Sequence, residues 1–163
     1  MTAADVAVIG GSAGAPYAPG LLALREGPLL DAAVRALRHP PDVLLVDATG
    51  RDHPRGAGLA LQLGAVLDVP TIGVTHRPLL AAGRWPARDA QGATSPLVLG
   101  GRPLGCWLRT RTGAPPLAVH PGWRTDAEAA CAVVLASVRK ARTPEPLRTA
   151  RRLAREARAS ASA

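Results

Sequence analysis

Short apolar runs alternate along this chain with apolar positions at helical spacing, and their order predicts an α/β fold. Val43, Leu44, Leu45 and Val46 form a continuous run entered through Pro41-Asp42 and closed by Asp47, the pattern of a buried strand bounded by turn residues. Leu59, Leu63, Val66 and Leu67 then recur at helical spacing within Gly58–Leu67, and Pro70-Thr71-Ile72-Gly73-Val74 reads as the next strand. Strand, helix and strand within about thirty residues make a βαβ unit with parallel strands. The run 43–46 is therefore expected as the central strand.

The remaining elements follow from the same patterns. Asp5-Val6-Ala7-Val8-Ile9 predicts a short strand, broken by Gly10-Gly11. Leu21 to Leu37 predicts a helix with Leu29, Leu30, Ala33, Val34 and Leu37 on one face, interrupted near Gly27-Pro28 because proline cannot donate its N–H. Leu97–Leu99 and Leu104–Arg111 form a hairpin turned at Gly100-Gly101, and Pro116–His120 is a further strand. Thr125–Val138 is a helix with Thr125 as N-cap and Glu128 closing a capping box. Pro144–Arg158 is a basic final helix, followed by a frayed tail over 159–163. No repeat or linker divides the chain, so residues 1–163 are expected to form a single domain.

Composition narrows the class. The 163 residues are 47% hydrophobic, enough for one real core and too apolar for a disordered chain. With no Phe and one Tyr, that core is built from Ala, Leu and Val. The net charge is +8 and the sequence pI about 11.3. Arginine carries nearly all of the positive charge, Lys140 being the only lysine. Guanidinium groups bind phosphates bidentately, so the excess favours a polyanionic partner, although an arginine-rich solvated tail gives the same total. Cys106 and Cys131 are too few and too widely spaced for a zinc site or a disulfide scaffold and read as two core thiols in a reducing compartment. No apolar run approaches membrane-spanning length, and no basic segment precedes residues 3–9. A cytoplasmic protein without a membrane partner is expected.

Candidate chemistry gathers at strand ends. Asp47 closes the apolar run, where open α/β sheets place their sites, and Asp52, His53 and Arg55 follow in one polar loop. A carboxylate, an imidazole and a guanidinium together suggest phosphate-ester chemistry. Glu26 is a second carboxylate beside the first helix. Two converging carboxylates suit Mg²⁺, which keeps several of its waters and activates one of them toward a phosphodiester; a surface pair with Arg25 is the competing role for Glu26. His53 either orients a water or bonds its own backbone. Gly56-Ala57-Gly58 opens a helix whose N–H groups suit a phosphate. Pro16-Tyr17-Ala18-Pro19-Gly20 sets the only tyrosine on a stiff loop, as an aromatic wedge against a base or as a turn plug. Trp85 and Trp107 read as packing residues. His76-Arg77 and His120-Pro121-Gly122-Trp123 end two further strands and are expected on the same face as Asp47.

These segments together resemble endonuclease V, the deoxyinosine-directed nuclease family with an RNase H-like fold. Tyr17-Ala18-Pro19-Gly20-Leu21-Leu22-Ala23-Leu24-Arg25-Glu26 is similar to the family's Y-x-P-G-L-L-A-F-R-E. Pro41–Ala60 is similar to P-D-V-x-x-V-D-G-x-G-x-A-H-P-R-x-x-G-L-A, and Pro70–Val74 to P-T-I-G-V. The resemblance implies an RNase H-like mixed sheet flanked by helices. It implies Glu26, Asp47 and His53 as catalytic residues, with Asp47 and Glu26 holding Mg²⁺, or Mn²⁺ in its place. It implies Tyr17, Pro16, Pro19, Gly20, Arg55 and His76 as nucleic-acid contacts, with the everted base received behind Tyr17. The implied substrate is DNA carrying deaminated adenine, or inosine in RNA, cut 3′ to the lesion.

The chain departs from the family pattern at named positions. Trp123 stands for an active-site histidine, His76 for a lysine and Ala48 for a glycine, which would restrict a turn needing φ > 0. The family's further catalytic aspartate lies on a first strand upstream of the tyrosine motif. With sixteen residues before Tyr17, the first strands are expected to be missing here, with Asp5 as a local substitute. The alternative implied is a catalytically impaired, nucleic-acid-binding remnant of the family.

Overall fold

Leu44 and Val46 pack to one side of a sheet, Val43 and Leu45 to the other, and this alternation builds a core on both faces. The computed structural model describes residues 5–16, 18 and 20–161. Its elements run α1 (Leu22–Arg35), β1 (Leu44–Val46), α2 (Leu59–Leu67), β2 (Thr71–Thr75), β3 (Thr94–Leu99), β4 (Arg102–Leu108), β5 (Leu117–Pro121), α3 (Ala127–Ala136) and α4 (Glu145–Ala161). The five strands lie in the order β1-β2-β5-β4-β3. β1 and β2 are parallel, with Leu44 beside Thr71 and Val46 beside Gly73; β2–β5, β5–β4 and β4–β3 are antiparallel.

One face is closed by α3 and α4, which bring Ala130, Cys131, Val134 and Leu147 onto Ile72, Val74, Leu108, Leu117 and Val119. The other is closed by α1 and α2, with Leu22, Ala23 and Leu30 of α1 and Leu59, Ala60 and Leu63 of α2 packed around Val46 and Ala48. Ile72, Leu108, Leu117 and Val119 are fully buried, and burying each such side chain stabilises the fold by roughly 1.5–3 kcal/mol. Trp107, Ala118, Leu97 and Ala81 form a third cluster. It is capped by the loop that bridges Ala82 to Val98, and the Trp107 indole N–H donates to the Gly83 carbonyl at 3.0 Å.

Several expectations need correction. The run 43–46 forms an edge of the described sheet, not its centre. A strand apolar on both sides reports two covered faces and says nothing about how many of its edges are paired. Residues 5–9 form no strand, and Val6, Val8 and Ile9 are exposed. α1 runs unbroken through Pro28, which leaves the Leu24 carbonyl without its helical donor; at the next residue the Gly14 N–H donates to the Arg25 carbonyl at 3.1 Å. The cap of α3 is Asp126, which accepts from the Ala129 N–H at 2.8 Å. Thr125 instead donates to the Thr71 carbonyl at 2.8 Å. α4 stays helical to Ala161, past the expected start of the frayed tail. Ala48 is not among the residues with positive φ, so no glycine is required there. Cys106 and Cys131 are core thiols as expected, but β4 and α3 bring their sulfurs to 2.6 Å. That hydrogen bond, reinforced by burial, pushes the Cys106 thiol up, while the bond from Cys106 pulls Cys131 down against its burial. Among the described residues no helix is long and apolar enough to cross a membrane.

Candidate active site at the end of the first strand

Asp47 follows Val46 out of β1, and the parallel register carries Thr75-His76 to the same end of the sheet. The Asp47 side chain is half-exposed and its carboxylate faces α4. Arg151 donates to one of its oxygens twice, from Nη2 at 2.6 Å and from Nε at 3.0 Å. His76 shares this surroundings: burial pushes its pKa down, Arg142 and Arg151 push it further, and Asp47 acts in the opposite sense. Asp47, His76, Arg142 and Arg151 thus form one charged group.

Glu26 is exposed on α1. Its helical position falls between Leu22 and Leu30, four residues from each, on one stripe of the helix. Leu22, Ala23 and Leu30 of that stripe pack on the cluster containing Val46 and Ala48, the two neighbours of Asp47. Arg25 does not pair with Glu26; its guanidinium donates to the Ala15 carbonyl at 3.1 Å.

The loop after Asp47 divides its work. Asp52 is completely buried and accepts from the backbone N–H groups of Leu79, Leu80 and Ala81 at 2.6, 2.7 and 2.7 Å. Completely buried, it spends three of its roughly four acceptor sites on the chain after β2, which makes it a structural carboxylate. His53 is buried. Its Nδ1 accepts the Arg55 N–H at 3.1 Å, which leaves the proton on Nε2 to donate to the Gly20 carbonyl at 3.0 Å. Arg55 reaches the same carbonyl at 3.2 Å. Gly20 itself has φ +75, a turn that favours glycine. Ala15 is thus clamped by Arg25, and Gly20 by His53 and Arg55. Tyr17 and Pro19 lie outside the described residues, and so does the expected base pocket behind Tyr17.

Two further expectations change. Gly56-Ala57-Gly58 does precede α2, but the Gly58 N–H goes to the Gly50 carbonyl at 2.7 Å and the Ala60 N–H to the Thr49 carbonyl at 3.2 Å, which removes donors from the anticipated phosphate cradle. β5 runs antiparallel to β2 with Ile72 beside Pro121, so Pro121-Gly122-Trp123 leaves at the end opposite Asp47. There the Trp123 N–H donates to Thr71 Oγ1 at 2.9 Å and its indole to Asp68 at 3.1 Å. Trp123 is no part of the Asp47 surroundings. Asp5 accepts from the Arg38 and His39 N–H groups at 2.6 and 3.3 Å, closing the turn after α1 rather than joining Asp47. The residue that sequence reasoning missed is Arg151.

Among the described residues no group of three or more His, Cys, Asp or Glu side chains gathers as a metal site. Of the carboxylates expected at the site, Asp47 and Glu26 are exposed, and among the described residues no backbone N–H is spent on either. Hard oxygen donors of this kind fit an Mg²⁺ or Mn²⁺ that keeps most of its waters, once Arg151 gives way at Asp47.

Comparison with known proteins agrees with this architecture. The family model for Endonuclease V matches residues 1–152. The Endonuclease V of Thermus thermophilus is 46% identical over 136 residues, covering 83% of this chain and 60% of that protein. That of Methanopyrus kandleri is 45% identical over 152 residues, covering 93% and 65%. Among solved structures, Endonuclease V of Streptomyces avermitilis has a TM-score of 0.86 at 42% identity, over 91% of this chain and 64% of that one. The catalytic domain of human Endonuclease V has 0.83 at 35% identity, over 90% and 66%. The chain spans about 60% of the length of the Thermus relative and 65% of that from Methanopyrus. The mixed sheet flanked by helices is the expected RNase H-like fold, and on these matches the chain belongs to the Endonuclease V family.

Proposed function

We propose that this protein is an endonuclease V-like nuclease that cuts the phosphodiester 3′ to deoxyinosine in DNA, with inosine in RNA as a second substrate to be tested. The observation that supports the reading is that α1, which carries Glu26 four residues from Leu22 and from Leu30, packs on the apolar cluster of Val46, Ala48, Leu59, Ala60 and Leu63, and Val46 and Ala48 are the residues on either side of Asp47. In this reading Asp47 and Glu26 hold one divalent cation, Mg²⁺ or Mn²⁺. When bound, such an ion supplies a water of lowered pKa and neutralises charge on the phosphate. His53 and Arg55 hold the Gly20 carbonyl, and in this reading Tyr17, Pro16, Pro19 and Gly20 contact the nucleic acid together with Arg55. His76, whose ring feels the charge of Asp47, contacts the phosphate next to the cut in this reading. The +8 charge supports a polyanionic substrate, and a cytoplasmic location goes with this role.

The test is nicking of an inosine-containing duplex, and of an inosine-containing RNA strand, by purified protein with Mg²⁺ or Mn²⁺. Cleavage at the inosine strand that disappears in Asp47→Ala and in Glu26→Ala supports the reading. Wild-type cleavage no greater than that of Asp47→Ala overturns it.

A further inference from the structure

We propose that the arginine face of α4 is a track for the phosphate backbone of nucleic acid and delivers that backbone to Asp47. This rests on the nuclease reading for its destination and on separate residues for its existence. Arg148, Arg151, Arg152 and Arg155 fall three, one and three residues apart, which sets all four on one face of the helix. With Arg142 and Thr149 they line an open cleft of about 510 Å³. From Arg148 to Arg155 the helix rises about 10 Å, the axial span of about four successive phosphates of one strand.

The guanidiniums are steered without being used up. Arg148 pairs with Glu145 at 2.9 Å and Arg152 with Glu156 at 2.9 Å, and each keeps further N–H donors for an oxyanion. All of these side chains are about half-exposed, so the charge faces water. Arg142 donates to the Pro115 carbonyl at 3.2 Å, fixing the start of the cleft. Arg151 belongs both to this cleft and to the Asp47 ion pair. That double membership makes the track continuous with the candidate site. Among the described residues none of the large exposed apolar side chains lies on α4, so the face offers charge without the apolar wedge that membrane-surface helices use. The occupant is therefore a nucleic-acid backbone.

The test measures binding of a fluorescent undamaged DNA duplex by anisotropy, without divalent cation, across a range of salt. The variant Arg148→Gln/Arg152→Gln/Arg155→Gln is compared with wild type and with Arg84→Gln/Arg88→Gln/Arg102→Gln, exposed arginines away from α4. Loss of three phosphate contacts makes the plot of log K against log salt shallower by about 3, while the control triple variant keeps the wild-type slope. If the triple variant fails to fold by thermal melting, Arg155→Gln alone makes the slope shallower by about 1. A slope unchanged by the α4 substitutions, or binding to phosphatidylserine vesicles with none to DNA, overturns the track. A shallower slope in a protein that never nicks inosine DNA leaves the track standing and removes the nuclease reading. Nicking by a protein whose binding ignores these arginines does the reverse.

Discussion

Arg151 Nη2 and Nε sit 2.6 and 3.0 Å from the same oxygen of Asp47, although the two residues lie 104 positions apart. Both side chains are substantially exposed, so the pair is worth about 1 kcal/mol or less to folding. Its larger consequence is local: a positive charge already occupies one carboxylate oxygen of Asp47 and competes there with any cation. Arg151→Ala is expected to shift the melting temperature by a few degrees at most and to raise the affinity for Mn²⁺ several-fold. Arg151→Lys keeps a charge there and remains close to wild type. Titration followed by Mn²⁺ electron paramagnetic resonance checks this. Affinity that falls in Arg151→Ala shows that the arginine assists the cation instead of competing with it.

Asp52 holds three consecutive backbone N–H groups with one carboxylate. In Asp52→Ala all three donors lose their acceptor, the one at Ala81 buried and those at Leu79 and Leu80 partly so, and each buried loss costs about 1–3 kcal/mol. A destabilisation of roughly 3–5 kcal/mol is expected, among the largest effects of a single substitution. Asp52→Asn keeps one carbonyl oxygen and loses the charge, so it falls between the two. Urea midpoints rank the three proteins. Equal midpoints for Asp52→Ala and wild type would mean that the chain after β2 is held by something else.

The contrast between Asp52 and Asp47 marks what the sequence could tell. Both are acids after one apolar run, and composition treats them alike. Only the fold reveals that one is sealed against backbone donors while the other meets solvent and Arg151. Elements with strong periodicity, such as the βαβ unit around α2, were legible because burial imposes its own spacing. The rank of β1 in the sheet was not, because two covered faces leave no trace of which edges pair. Trp123 illustrates a third limit. Its motif lies at a strand end, but the antiparallel direction of β5 sends that end away from Asp47, and direction is a property of tertiary pairing. Arg151 was hidden for the same reason, since nothing local in a basic helix names a carboxylate on the first strand.

His53 bonds at both ring nitrogens, to Gly20 and to the Arg55 N–H. His53→Ala removes two bonds at a buried position and is expected to cost about 2 kcal/mol. Arg55→Ala removes a single exposed bond to the same carbonyl and costs a few tenths by comparison. If the clamp on Gly20 serves inosine recognition, His53→Ala also lowers the preference for inosine-containing over undamaged DNA more than it lowers affinity for either. Competition binding on the two duplexes reads this directly. An unchanged preference would confine His53 to stability.

His120 makes a pH-dependent contribution whose sign follows from its surroundings. The ring is fully buried. Nε2 lies 2.9 Å from Thr75 Oγ1, whose own proton goes to the Arg77 carbonyl at 2.7 Å, so Nε2 is the donor. Nδ1 has no partner among the described residues, and a second proton there would have no acceptor. Burial therefore pushes the pKa down to about 4, with Asp52 opposing, against about 6.5 in an unfolded chain. Above pH 6.5 both states are neutral and this source of stability is fully present. As pH falls toward 4 the unfolded chain takes up a proton that the native ring refuses, and stability drops, by an amount on the order of 3 kcal/mol; below pH 4 this residue adds no further loss. His76 shifts in the same direction, but its ring is exposed and it is present in both proteins to be compared. His120→Gln keeps a donor for Thr75 and removes the titration, so its urea midpoint is expected to be lower than wild type at pH 7 and to change much less between pH 6.5 and 4. Parallel profiles for the two proteins would locate the acid sensitivity in some other group.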